Sequence, residues 1–325
     1  MKAIVYTRYG TPDVLELKET DKPVPKENEV LIKVYAVSVN DWDLALVKGD
    51  LINRLINGLF KPKIKMPGSD VAGRIEAIGK NVKKFQPGDE VYGDLSGTWG
   101  GFAEYVCGSE DELILKPVSM SFVEAAAIPQ AAMLAIQGLR DRGKIHAGQK
   151  VLINGAGGGV GTFAVQLAGL YGVEITGVDS SGKSDMLRLL GVDHVIDYTR
   201  EDFTANGKCY DLILDVKTNR SICRYAQALS RNGIYVTVGG SLGLLLQALL
   251  LGPWFSMISK KAIRIVSLKK NKDLAFINEL FESGRIRPVI DGPYRLEEVP
   301  YAFSRFGEGA HKGKVVITVE HNSGH

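Results

Sequence analysis

The chain has 325 residues, and about 150 residues per domain suggests two domains. Forty basic against 37 acidic side chains leave a net charge of +3, too little for a protein whose main work is gripping nucleic-acid phosphates. With 45% apolar and 24% charged residues the composition is that of a folded globular chain, which excludes bulk disorder.

Cys107, Cys209 and Cys223 are too few and too scattered for a disulfide framework or a four-thiolate zinc site. Such usage fits a reducing compartment and predicts a cytoplasmic protein. The opening MKAIVYTRYG has no apolar signal-peptide core. One stretch, LGLLLQALLLGPWFSMI at 242–258, looks membrane-like, but Gln247 and Gly252-Pro253 interrupt it and it falls short of about 20 apolar residues. It reads as a buried helix, a subunit interface or the wall of an apolar pocket, so no membrane partner is expected.

The first 120 residues read as short strands separated by turns. VLIKV at 30–34 is a β-branched run, VAGRI at 71–75 follows the Pro67-Gly68 turn, and Pro87-Gly88-Asp89 precedes another strand. From Ser121 the pattern changes. SFVEAAAIPQAAMLAIQGL is Ala-rich and helical, with Ser121 and Glu124 at capping-box spacing and Pro129 expected to kink or divide it.

Strands and helices then alternate. VLIN at 151–154, a helix over 159–171, EITGVD at 174–179, a helix over 183–190, HVID at 194–197, DLILDV at 211–216 and IYVTVGG at 234–240 follow one another. RIVSL at 264–268 reads as a further strand. Apolar strands separated by helices predict a parallel sheet covered on both faces. A helix over 273–283 stops at Gly284, and a closing strand, KVVITV at 314–319, has no partner near it in sequence. The C-terminus therefore returns to the first domain.

At 151–167, VLINGAGGGVGTFAVQL, an apolar strand enters a run holding Gly155, Gly157, Gly158, Gly159 and Gly161, and a helix leaves it. One glycine permits the tight turn, one admits a pyrophosphate to the backbone, and one lets helix pack on strand. The helix N-terminus offers free N–H groups and partial positive charge to that anion. Within a βαβ unit this predicts dinucleotide binding by Gly157, Gly158, Gly159, Val160 and Gly161; the Lys-Ser/Thr of a Walker loop is missing. Asp179 ends the next strand, where a carboxylate accepts from a ribose hydroxyl and disfavours a 2′-phosphate. Ser180, Ser181 and Lys183 follow at once, and two hydroxyls with an ammonium suit that phosphate. The cofactor is NAD(P)H, with a lean to NADH from Asp179 and NADPH still open. Tyr198, beyond the following strand, joins this set.

GQKVLINGAGGGVGTFAVQLA at 148–168, preceded by PGSDVAGRIEAIGKNVKKFQPGDEVYGDL at 67–95, GGFAEYV at 100–106 and EAAAIP at 124–129, resembles the medium-chain dehydrogenase/reductase superfamily, in its zinc-independent quinone oxidoreductase-like branch. The resemblance extends from YGTPDVLEL at 9–17 to GKVVITV at 313–319 and departs at Gly169, where the branch usually carries Lys, Arg or Ser. It implies a Rossmann domain over 122–267 inserted into a GroES-like β-rich domain built from 1–121 and 268–325. It also implies a homodimer or homotetramer.

The zinc-dependent alcohol dehydrogenases of the superfamily bind catalytic zinc through a Cys, a His-Glu pair and a third ligand near the start of the cofactor domain. This chain has Asn40, Ser69-Asp70 and about Gln130 there, and no metal is expected. Without a Lewis acid, hydride transfer suits a planar substrate that is already electrophilic, a quinone or an α,β-unsaturated carbonyl. The resemblance puts Asn40 at the lost ligand position as a donor to substrate oxygen, with a turn-stabilising role as the alternative. Asp43 orients that loop or caps the helix after it. Trp42, Tyr92 and Trp254 are candidate pocket walls, Gly239, Gly240 and Ser241 lie by the nicotinamide, and Lys314 resembles the family's lysine near the cofactor phosphates. Two other readings stand beside this one: a non-catalytic nucleotide-binding protein, crystallin-like or RNA-binding, and a zinc alcohol dehydrogenase with unusual ligands.

Overall fold

The computed structural model describes residues 1–321. In chain order the strands are β1 (Lys2–Val5), β2 (Glu16–Glu19), β3 (Glu29–Ser38), β4 (Asp70–Ile78), β5 (Glu90–Asp94), β6 (Tyr105–Ser109) and β7 (Ile114–Leu115). Helices α1 (Asp41–Lys48) and α2 (Leu51–Asn57) fall between β3 and β4, and α3 (Phe122–Ala126) and α4 (Pro129–Ile136) follow β7. Then come β8 (Lys150–Asn154), α5 (Gly159–Gly169), β9 (Glu174–Asp179), α6 (Ser184–Leu189), β10 (His194–Asp197), β11 (Tyr210–Asp215), α7 (Ile222–Gln227), β12 (Leu229–Thr237), α8 (Leu242–Ser259) and β13 (Ala262–Ile265). The chain closes with α9 (Leu274–Glu282), β14 (Ile290–Arg295), α10 (Val299–Gly307) and β15 (Lys314–Thr318).

The chain forms two compact units: 1–130 with 270–282 and 288–325, and 131–269 with 283–287. Residues 122–130 cluster with the first unit because α3 packs on β3, β4 and β5. Ser121 caps α3 as its spacing predicts, its Oγ accepting from Glu124 N–H at 3.2 Å while Glu124 Oε2 accepts from Ser121 N–H at 2.9 Å. Pro129 divides the Ala-rich segment, starting α4 where its missing N–H costs nothing.

In the first unit one sheet runs β14-β15-β3-β4-β5-β7, with β6 on β3. The closing strand finds its partner there, Val316 opposite Ser38 and Thr318 opposite Ala36, antiparallel to β3. Its core gathers Ile32, Val34, Val71, Phe102, Phe303 and Ile317 from both chain ends, which is why two distant segments make one unit.

In the second unit six parallel strands lie in the order β10-β9-β8-β11-β12-β13. That is the doubly wound order with its switch point between β8 and β11, where such sheets bind nucleotides at the carboxyl ends of the strands. Leu152, Val178, Ile213 and Tyr235 are buried along it. The apolar stretch at 242–258 forms α8, with Pro253 inside it and Leu249, Leu250 and Trp254 exposed. Among the described residues no helix is long and apolar enough to cross a membrane.

Candidate functional site

The glycine loop leaves β8 at Asn154 and enters α5, with Gly158 as N-cap in extended conformation. Gly155 has φ +81°, the left-handed region that favours glycine. A Cβ on Gly161 would lie 2.1 Å from Gly155 O, so only glycine lets α5 approach the strand this closely. Val160 is half-buried beside it.

Asp179, at the end of β9, is buried and already engaged. Its Oδ2 accepts from Gly157 N–H at 2.8 Å and its Oδ1 from Ser180 N–H at 2.9 Å. Lys183 Nζ lies 3.2 Å from Oδ1, and both side chains are below a tenth exposed. The lysine stem covers Gly157, where a Cβ would meet Lys183 Cδ at 2.5 Å. Ser180 is half-buried, Ser181 exposed and Tyr198 about half exposed, with Tyr198 N–H donating to Asp179 O at 3.2 Å. Gly239 is half-buried and accepts from Thr218 Oγ1 at 3.0 Å, while Gly240 and Ser241 are exposed and Ser241 caps α8. A glycine turn, a free helix N-terminus and a neutralised carboxylate fit a dinucleotide: the loop and α5 would take the pyrophosphate, and the Asp179–Lys183 corner the adenosine ribose.

A network that the sequence reading missed lies across the same strand ends. Asp215 accepts from Asn154 Nδ2 at 2.8 Å and from Tyr235 OH at 2.6 Å. Burial raises the Asp215 carboxyl above its ordinary range, and its hydrogen bonds oppose that rise. The available signal was that VLIN and DLILD each end an apolar strand on one polar side chain.

In the first unit a second polar cluster is buried where β3 ends, β4 begins and β15 begins. Asn40, 5% exposed, is the N-cap of α1 and takes part in a capping box with Asp43. Asp43 Oδ2 accepts from Asn40 N–H and Oδ1 from Gly68 N–H, each at 2.8 Å. Asn40 Nδ2 donates to Ser69 Oγ at 3.2 Å. Lys314 is also buried: its ammonium donates to Val39 O at 3.2 Å and to Asn40 Oδ1, and pairs with Asp70 Oδ2 at 3.3 Å. Gln130 N–H donates to the same Asp70 oxygen at 3.2 Å. Burial pushes the Asp43 carboxyl up to about 7 against its two hydrogen bonds, and Asp70 up to about 6 against the Lys314 charge.

Of the pocket candidates, Trp42 and Trp254 are half exposed. Tyr92 is wholly buried, its hydroxyl donating to Asn278 Oδ1 at 2.5 Å.

Two family models match, "Alcohol dehydrogenase GroES-like domain" over residues 26–118 and "Zinc-binding dehydrogenase" over 190–317. A 2-methylene-furan-3-one reductase of Solanum lycopersicum is 37% identical over 98% of this chain and 79% of its own. The chain belongs to the medium-chain dehydrogenase/reductase superfamily, in its quinone oxidoreductase-like branch. It is an oxidoreductase. An Arabidopsis thaliana NADPH-dependent alkenal/one oxidoreductase is 34% identical over 98% of this chain and 79% of its own. The solved quinone oxidoreductase of Coxiella burnetii matches with a TM-score of 0.86 at 29% identity, over 98% of this chain and 99% of that one.

Two consequences follow. The cytoplasmic location expected from the cysteines is corrected: the Arabidopsis relative is designated chloroplastic, and three further plant relatives at 30–31% identity carry chloroplast designations. Few cysteines report a reducing environment, whereas an organelle address is a signal read by a receptor. The zinc of the second model's description does not fit the residues present. Asn40, Ser69 and Asp70 offer neither thiolate nor imidazole, and an ammonium already holds the Asn40 and Asp70 oxygens, where it would repel a dication.

Proposed function

We propose that this protein is an NADPH-dependent reductase of α,β-unsaturated carbonyls and quinones that works without a metal. The observation that carries this reading is the Lys314 ammonium seated between Asn40 and Asp70 at the superfamily's metal-ligand positions. With no Lewis acid to polarise an unactivated alcohol, the substrate must bring its own electrophilicity. The bound dinucleotide supplies a hydride. The chain's part is to hold the acceptor flat and to donate to the oxygen on which charge develops. In this reading Asn40 Nδ2 makes that donation and the exposed Trp42 supplies an apolar wall. The names of the tomato and Arabidopsis relatives support an activated alkene as the acceptor.

Engagement of Asp179 by Gly157 N–H and by Lys183 supports NADPH over the NADH that the bare carboxylate favours. Lys183, Ser180 and Ser181 then hold the 2′-phosphate. A homodimer or homotetramer belongs to the same reading, supported by the exposed Leu249, Leu250 and Trp254 of α8, and light scattering tests it.

The deciding experiment treats chelator-stripped protein with NADPH or NADH and a panel of enones, enals and quinones, following loss of the reduced nicotinamide absorbance. Turnover with enones or quinones and NADPH is expected. Folded protein that binds NADPH yet reduces none of them would falsify the reading.

A further inference from the structure

Lys314 opens β15 and is 3% exposed, an expensive place for an ammonium unless every proton is matched. Its three donors meet three acceptors: Val39 O, Asn40 Oδ1 and Asp70 Oδ2. A lysine can only donate, so the Asn40 carboxamide must turn its oxygen inward to it. The amide nitrogen is thereby aimed the other way. It spends one hydrogen on Ser69 Oγ and retains a second to donate. Backbone holds the residue from the other side, since Asp43 accepts from Asn40 N–H and ties it to Gly68. Asp70 is not saturated by this arrangement. Its Oδ2 takes Lys314, Gln130 N–H and Ser38 Oγ, while its buried Oδ1 has no hydrogen-bond partner among the described residues.

We propose that Lys314 is a positioning residue for the reduction: it locks Asn40 as an N–H donor toward the substrate oxygen and places a fixed positive charge behind that donor, where related enzymes place a metal. The inference rests on the function proposed above. When hydride bonds to the β-carbon of an enone, the alkene π pair moves to the carbonyl oxygen as an enolate. A solvent proton then closes the α-carbon, and the dinucleotide leaves oxidised by two electrons. A preorganised donor polarised by a buried ammonium lowers the energy of that enolate. A lysine whose three hydrogens are committed in this way has none for a cofactor phosphate, the role that its resemblance to the family's lysine implies.

The test uses the whole enzyme, NADPH and methyl vinyl ketone. Lys314→Met alone strands a buried carboxylate and is expected to unfold, so the informative variant is Lys314→Met with Asp70→Asn, which removes both charges. The double variant should keep its NADPH Kd within about threefold and its KM within about threefold, while kcat falls by about ten- to a hundredfold. Asn40→Asp keeps an oxygen for Lys314 but removes the N–H donor, and should lower kcat by a similar factor with the NADPH Kd within about threefold. An unchanged kcat in the double variant overturns the proposal, as does a weakened NADPH Kd with kcat intact, which makes Lys314 a phosphate ligand. Folded Asn40→Asp protein with kcat unchanged also overturns it, and this arm decides the matter if the double variant does not fold. A wild type that binds NADPH but turns over no acceptor removes the underlying function and this proposal together, an outcome distinct from all the others.

Discussion

The Lys183 ammonium lies 3.2 Å from Asp179 Oδ1, with both side chains buried beside Gly157. An acidic residue at the end of the second strand of a nucleotide-binding sheet ordinarily selects against a 2′-phosphate. Here its charge is matched four residues later. Lys183→Met should weaken NADPH by about tenfold, or ~1.4 kcal/mol, and NADH by less than about threefold. Paired fluorescence titrations read both constants, and equal weakening of the two would mean that Lys183 only supports the fold.

Gly161 and Gly169 sit in the same helix and should respond in opposite directions. A methyl on Gly161 meets Gly155 O at 2.1 Å and Ala156 Cα at 2.6 Å, a clash that costs about 1–3 kcal/mol. Gly169 is exposed and a Cβ there meets nothing within 4 Å. Gly161→Ala should lower Tm and abolish NADPH binding, whereas Gly169→Ala should raise stability by up to about 1 kcal/mol with binding unchanged. Thermal melts with and without NADPH make the comparison.

Asp43 gives the fold a pH dependence of unusual sign. Burial raises its carboxyl from 3.8 to about 7, so the folded state holds the proton more tightly than the unfolded chain does. Its contribution is therefore complete below about pH 4 and is lost as pH rises through 7. Asp43→Asn removes that titration and should flatten the fall in urea midpoint between pH 5 and 8. Some slope should persist, because Asp70, raised to about 6, acts in the same direction. An equally steep slope in the variant would show that Asp43 does not titrate there.

Asp291 behaves in the opposite way. Burial acts to raise its carboxyl, but Arg305, Tyr294 OH and Lys312 N–H together outweigh it and lower the carboxyl to about 2. The lowered value stabilises the fold above about pH 4, and that gain disappears as pH falls toward 2. Arg305 Nε and Nη2 both donate to the carboxylate at 3.0 Å, joining β14 to α10. Asp291→Asn should cost about 1–2 kcal/mol at pH 7, allowing for solvent screening of the guanidinium, and much less at pH 3. Denaturant midpoints at the two pH values provide the check.

Tyr92→Phe separates packing from substrate contact. The ring is wholly buried and its hydroxyl is held by Asn278 Oδ1. Removing the hydroxyl should cost about 1 kcal/mol of stability and leave kcat/KM unchanged within about twofold. A tenfold loss of kcat/KM at unchanged Tm would place Tyr92 against the substrate instead.

The sequence alone determined the chain's local grammar. Apolar strands alternating with helices, five glycines from the end of β8 into the first turn of α5, and an orphan C-terminal run were enough for the doubly wound sheet and for the return of β15 to the first unit. Such signals are legible because period, turn chemistry and helix capping act between near neighbours. The distance of Asp179 beyond the loop is what proposes it for the nucleotide corner.

Only the tertiary structure decided what these charges do. Asp179 reads as a free carboxylate until Lys183 and Gly157 N–H are seen upon it. Lys314 lies 274 residues from Asn40 and 244 from Asp70, yet its ammonium meets both. The closing strand brings it there by pairing with β3, beside the start of α1. Sequence spacing reports which donors and acceptors exist. Which of them neutralise one another depends on burial and on long-range strand pairing, which set both the distance and the dielectric between charges.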